Sequence, residues 1–223
     1  MSLLLSLLVL QAPITPAFAQ DDPEEEEAEE AEAPKQTTFT YALGGTLWVQ
    51  TTKTGVGAAI AHDHSVHSSG WTGTVTWDTE DASKCDVKIN LPVSSLIVDE
   101  PSIRSNVGLP EGPDAGDRET ITGHMLADNQ LNIGKYTTIA YQSSSCSGTA
   151  GAVTVKGTLT IVGKGAPVSA NLDVTADAAG FAATGNFTAN HSDFGIEPYS
   201  ALFGAIGNAE QLKFGLNVNG KAN

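Results

Sequence analysis

The sequence predicts an all-β domain, an antiparallel barrel or sandwich of about eight strands with one short helix in a long connection. Three observations predict it. Apolar and polar residues alternate with period two through most of residues 38–220, the pattern of strands with one buried and one wet face. Short turn signals such as Thr54-Gly55, Gly163-Lys-Gly165 and Asp177-Ala-Ala-Gly180 separate the runs. One long interruption, Asp99 to Lys135, breaks the series. Alternation alone does not separate barrel from sandwich, and the difference matters for function. An eight-stranded barrel has interior for one small ligand, whereas a sandwich packs solid.

Taken in order, Phe39–Leu43 and Leu47–Val49 form one strand, broken or bulged at Gly44-Gly45. After the turn at Gly55, Val56, Ala58, Ile60, His62, His64 and Val66 fall on one face of the next. Trp71, Gly73, Val75 and Trp77 then alternate with three threonines, and Val87, Ile89, Leu91 and Val93 alternate with Lys88 and Asn90. Ile97-Val98 closes that half. The long connection is rich in Pro and Gly at first. Its second part, Asp117–Ala127, predicts the short helix, with Asp117 as N-cap and Ile121 and Met125 one turn apart. Connections of this length inside a domain usually carry function.

Strands resume at Ile139 and Tyr141, followed by Val153, Val155, Leu159 and Ile161 against intervening Thr and Lys. Val168, Ala170, Leu172 and Val174 continue the pattern, then Phe181, Ala183, Gly185, Phe187 and Ala189. This last run breaks into His191-Ser-Asp-Phe-Gly-Ile196 and an apolar, glycine-punctuated segment containing Tyr199, Leu202, Phe203 and Ile206. A strand ending in a bend and an apolar loop predicts a rim. Leu212, Phe214, Leu216 and Val218 form the final strand.

The N-terminus divides into two further segments. Leu3–Leu10 is an apolar core and Ala17-Phe-Ala19 a small-x-small site, so residues 1–19 are expected to be a secretory signal peptide and the protein periplasmic or secreted. Residues 20–36 hold nine of the chain's 26 acids and are expected to be a disordered acidic linker. The remaining domain, residues 37–223, carries 17 acids against 10 bases with no basic stripe, which argues against nucleic acid as a partner. Cys85 and Cys146 are the only cysteines, and in an exported chain an even count predicts a disulfide. Cys85 shares parity with inward Val87, whereas Cys146 shares parity with outward Gln142. The pairing therefore requires a bulge within Ser143–Ser145.

Several stretches together resemble one family. Asn190-His-Ser-Asp-Phe-Gly-Ile196 followed by Gly204 and Gly207, Trp71-Thr-Gly-Thr-Val-Thr-Trp-Asp78, His124-Met-Leu with Lys135-Tyr136, and Gly157-Thr-Leu-Thr-Ile161 with Pro167-Val168 resemble the YceI-like family in order and spacing. The resemblance spans roughly Thr38 to Gly220. It implies an extended eight-stranded antiparallel, lipocalin-like barrel over residues 37–223. It also implies a periplasmic polyisoprenoid-binding role, with an apolar tunnel for an isoprenoid lipid or quinone tail and no cofactor beyond that ligand.

The residues expected to contact such a ligand are Trp71, Trp77, Ala183, Gly185, Phe187 and Phe214 on the inward faces, with Phe194, Leu202 and Phe203 at the mouth and His62 and His64 inside. The two histidines are open to three roles: satisfied core or rim residues, contacts to a polar head group, or metal ligands. A metal would need a third donor such as His124 or His191. Nucleophile-elbow, zinc-protease, phosphate-loop and redox-cysteine motifs are missing from the sequence, so enzyme activity is not expected. Two other roles stand beside the carrier: a His-centred metal-binding or redox accessory barrel, and a surface β-domain for protein contact. A carrier of this kind would touch the membrane transiently.

Overall fold

The computed structural model describes residues 35–222; the signal and linker expectations for residues 1–34 lie outside them. Eleven strands form one sheet. They are β1 (Thr38–Thr54), β2 (His64–Ser68), β3 (Thr72–Asp78), β4 (Asp86–Pro92), β5 (Leu96–Val98), β6 (Thr138–Thr149), β7 (Ala152–Ile161), β8 (Lys164–Ala176), β9 (Gly180–Asn190), β10 (Ser200–Ala201) and β11 (Ile206–Ala222). Eight of them, in the order β1-β11-β9-β8-β7-β6-β4-β3, close on themselves because β3 and β11 both pair with β1. The architecture is a closed antiparallel barrel, and closure leaves those eight strands no free edge. β2 and β5 continue from one end of β1, and β10 pairs with β11 at the same end.

The alternation seen in the sequence maps onto the wall. Leu47 lies opposite Leu216, Val49 opposite Phe214, and Phe214 opposite Phe187, so neighbouring strands present apolar side chains to one interior. Gly44-Gly45 does not break β1, which runs unbroken for 17 residues. Gly45 adopts φ 106°, and a side chain there would meet the Asn217 carbonyl oxygen at 2.3 Å, so β1 stays in register only with glycine at this point.

One segment differs from the expected strand. Val56–Ile60 forms a turn and a single 3-10 turn (Ala58–Ile60), and β2 begins only at His64. Gly57 donates its N–H to the Ala205 carbonyl at 2.8 Å, across to the β10–β11 turn, rather than joining a ladder with β1. Val56 and Ile60 consequently face solvent instead of the core.

The long connection carries two helices rather than one, α1 (Pro101–Asn106) and α2 (Ala115–Leu126). Pro101 begins α1, where its missing N–H costs nothing. The cap of α2 is Asp114, which accepts the Asp117 N–H at 2.9 Å, so the helix starts a turn earlier than Asp117 suggested.

One end of the barrel is plugged. Tyr41, Trp77 and Phe181 meet there with ring centroids 5.6 and 6.0 Å from Phe181, among Val75, Val153, Val174 and Val218. The Tyr41 hydroxyl donates to the Asp177 carbonyl at 2.6 Å, and burial pushes its phenol above the ordinary range. Asp78 ties the rim of this end together, accepting hydroxyls from Thr37 and Thr38 and the amides of Glu80 and Asp81. Those hydrogen bonds hold its carboxyl well below the usual carboxylate range.

Cys85 and Cys146 are joined at this plugged end, with Cα atoms 6.0 Å apart. The register of β6 against β7 slips between Ser143 and Ser145, the bulge that the side-chain phase demanded. The bond closes a loop with a sequence separation of 61. Replacing both cysteines by serine is expected to lower stability by roughly 2–4 kcal/mol. Denaturant unfolding of the double variant against the oxidised protein checks this; a difference under about 1 kcal/mol would show the barrel indifferent to the link.

Candidate functional site

The opposite end is built differently. The C-terminal ends of β1, β4, β7 and β9 and the starts of β6, β8 and β11 converge there, and α2 lies across them. Below this rim runs an apolar cavity of about 350 Å³. Val75, Trp77, Val155, Val174, Phe181 and Val218 line its floor against the aromatic plug. Leu43, Leu47, Ile89, Tyr141, Leu172, Ala183 and Leu216 line its walls. Near the mouth stand Phe187 and Phe214, stacked at 4.8 Å, with Ile121 and Met125 of α2, Ile196 and Tyr199. The connection after α2 is fastened to the far side of the mouth by Gln130, whose amide donates to the Glu197 carbonyl at 3.0 Å.

Tyr141 brings a phenol into the wall, below Tyr199 at the mouth. Burial pushes its pKa up to about 12, so it stays neutral. A side chain at Gly157 would meet the Tyr141 hydroxyl at 2.5 Å, so that glycine is what leaves room for the ring.

The polar part of the lining is small: Thr51 and His64, with His67, Ser68, His124, Gln130, His191 and Asn208. Thr51 and His64 face each other across β1 and β2, and both line the cavity. The Thr51 Oγ1 is buried without a hydrogen-bond partner. His64 Nδ1 lies 2.6 Å from Oδ2 of Asp99, whose other oxygen accepts the Ser65 N–H and the Arg104 guanidinium. Arg104 also donates to the carbonyls of Asp63 and Pro110. Asp99 and Arg104 are 0% and 2% exposed. Burial alone would raise the Asp99 carboxyl. The hydrogen bonds from His64, the Ser65 amide and Arg104 outweigh it and hold the group below its ordinary value. An ionised Asp99 fixes the His64 proton on Nδ1, which leaves Nε2 as the ring atom free for the cavity.

Of the residues the sequence singled out, Trp77, Ala183, Phe187, Phe214, His64, His124 and His191 line the cavity. The others lie elsewhere, each for a local reason. Trp71 lies over Gly73 and donates its indole N–H to the Gly45 carbonyl at 3.3 Å. Gly185 leaves no gap, because its cross-strand partner Leu172 leans over it. Phe194 is buried within the wall, packed with Leu159, Ile161, Val168 and Ile196. The turn that carries it is capped by Asn190 and Asp193 and closed by Gly195 at φ 70°. Leu202 and Phe203 point into solvent, as does His62, which precedes β2.

The candidate metal histidines do not assemble. His124 stacks on Tyr199 at 5.1 Å, and His191 is buried with Nδ1 3.0 Å from the Glu210 carbonyl. Among the described residues no group of three or more His, Cys, Asp or Glu converges on one point. Sequence reasoning did not find Asp99, Arg104 or Thr51. Only the burial of two opposite charges, Asp99 just before α1 and Arg104 within it, distinguishes the first two, and no local pattern announces that.

Fold and cavity together define a lipocalin-like barrel, plugged at one end and apolar within. The YceI-like domain family matches residues 48–218, most of the chain, and the protein belongs to the YceI-like family. Among solved structures, BcnA of Burkholderia cenocepacia superposes with a TM-score of 0.59 at 13% identity, covering 78% of this chain and 95% of that one. The YceI protein of Campylobacter jejuni, in a variant holding a monobromobimane guest, gives 0.54 at 12% identity, covering 71% of this chain and 84% of its own. No curated protein sequence matches the chain. At such identities the likeness concerns the fold.

Proposed function

We infer that the protein is an exported carrier that encloses the tail of an isoprenoid lipid or quinone in its barrel, with the head group toward the α2-covered rim. The apolar cavity carries this reading: about 350 Å³ of interior walled by Val, Leu, Ile, Phe and Ala, in a family whose resemblance implies isoprenoid binding. Each buried methylene contributes about 0.8 kcal/mol, so a few isoprene units offset an association cost of roughly 4–15 kcal/mol. The tail therefore supplies affinity. The work is sequestration rather than catalysis. Thr51 and His64, both in the lining, are the groups that would meet a head group, and the buried Asp99–Arg104 pair sets the orientation of the imidazole.

Titrating the protein with an isoprenoid quinone or quinol, read through quenching of tryptophan fluorescence, tests the proposal, since Trp77 lies in the cavity wall. Saturable binding of one ligand per barrel is expected. His64→Phe is expected to shift the preference between the two head groups by roughly two- to tenfold, the worth of one net hydrogen bond, and to leave binding of a headless isoprene chain unchanged. Absence of saturable quenching would defeat the carrier reading.

A further inference from the structure

At the rim, beside the cavity mouth, two loops lie against each other: the β1–β2 connection through Val56 and Ile60, and the β10–β11 turn through Leu202 and Phe203. Thr54 pairs with Gly207, Gly57 donates to the Ala205 carbonyl, and Gly55 sits so close that a side chain would meet that same oxygen at 2.3 Å. The two loops therefore form one tip.

That tip is apolar where it should be polar. Five large apolar side chains are exposed among the described residues, and four of them are here: Val56 at 98%, Ile60 at 77%, Leu202 at 65% and Phe203 at 112%. Scattered exposed apolar residues are ordinary; a cluster at one projecting edge marks an interaction surface. Leu202 and Phe203 are also two successive non-glycine residues in the left-handed region, at φ 50° and 55°, a conformation bulky side chains seldom adopt. The fold keeps them there, pointing outward.

Charge is missing from the same place. Residues 54–61 and 198–209 contain no Asp, Glu, Lys or Arg, in a chain that holds 26 acids and 11 bases. Outside its acidic linker the protein still carries more acids than bases, which opposes attraction to an anionic surface. The tip is also continuous with the mouth: Tyr199 and Asn208 flank it in the chain, and both line the cavity.

We propose that this double-loop tip inserts into the interface of a phospholipid bilayer and sets the cavity mouth against it, so that the ligand passes between bilayer and barrel without crossing water. The proposal rests on the carrier reading for its purpose, but its occupant is argued from the tip alone. An uncharged, projecting apolar edge suits a lipid interface, where insertion is driven by apolar burial and no ion pairing is needed. A protein partner would be expected to find a concave or polar-rimmed patch.

The test is co-flotation of the full chain with phosphatidylcholine vesicles, comparing the natural protein with Phe203→Asp and with the double variant Val56→Asp/Leu202→Asp. The natural protein is expected to float, with little loss on raising the salt, since apolar insertion is not screened. Each variant is expected to reduce the bound fraction at least tenfold. The altered side chains are exposed, so melting temperature is expected to hold, and uptake of a short isoprenoid offered in detergent is expected to be unaffected. Vesicle binding that survives in both variants, or a natural protein that stays in solution, overturns the proposal. So does a dimer of the natural protein that the same variants dissociate while vesicles recruit nothing. Loss of uptake from detergent in the natural protein would instead defeat the carrier reading.

Discussion

Ala183→Trp is expected to abolish isoprenoid uptake while the barrel still folds. Ala183 is buried in β9, its side chain lines the cavity, and its cross-strand partners are Val218 and Val174. An indole in its place occupies the interior next to the floor and shortens the space a chain can enter. Overpacking of this kind typically costs about 1–3 kcal/mol, and here the cavity itself absorbs part of the added volume. Leu216→Trp, higher on the same wall, is expected to act in the same way. Binding titrations beside denaturant unfolding separate the two effects; a variant that unfolds normally yet binds as tightly as the natural protein would show that the ligand lies elsewhere. Gly185→Leu is not an equivalent test, although Gly185 lies two residues away on the same strand. A side chain there would strike the Asn171 carbonyl oxygen at 2.6 Å and break the β8–β9 ladder before it filled anything.

Arg104→Leu is expected to give the largest loss of stability among single substitutions, about 3–5 kcal/mol. The residue is 2% exposed, and its guanidinium holds Asp99 and two backbone carbonyls. Removing it leaves a carboxylate at 0% exposure with only His64 and the Ser65 amide as partners. Chemical denaturation measures the loss, and a change below about 1 kcal/mol would show the pair to be dispensable. Changing both members, Asp99→Asn with Arg104→Met, is expected to recover much of the stability, because no unpaired charge remains. The native Asp99 carboxyl lies below its unfolded value. Its contribution is thus fully present above the unfolded pKa and declines as pH falls through the folded one.

Much of the barrel was legible because a strand's side-chain period is two and the interior is one apolar surface. Thr72 to Trp77 and Val153 to Ile161 each fall on β-strands for that reason. The same periodicity misled at Val56–His62. Parity extends a strand indefinitely on paper, while the chain leaves the sheet where Gly55 and Gly57 let it turn against Ala205. Trp71 also shares parity with the wall, yet it lies across Gly73. Direction along a strand says which face a side chain takes, and neighbours decide whether it reaches the cavity. The disulfide was legible through a conflict: two cysteines of opposite phase could meet only with a bulge at Ser143–Ser145, and that is where the register slips.

The polar corner of the site was only half legible. His64 drew notice as an imidazole on an apolar strand. Asp99 and Arg104, which orient it, lie 35 and 40 positions further along in a connection with no periodic pattern. Their pairing is a long-range electrostatic fact, set by how β5 and α1 return beside β2, and no local spacing encodes it. Thr51 was hidden differently. It is one of many threonines, and only its buried, unpartnered hydroxyl in the cavity wall sets it apart.

Native mass spectrometry of the protein purified without added lipid tests the central claim most directly. A folded barrel that leaves its host with the cavity filled is expected to carry one non-covalent adduct. Organic extraction should then identify that adduct as an isoprenoid chain, and the Ala183→Trp variant should lack it. A natural protein whose measured mass equals that of the polypeptide alone, and whose organic extract contains no lipid, would contradict the account.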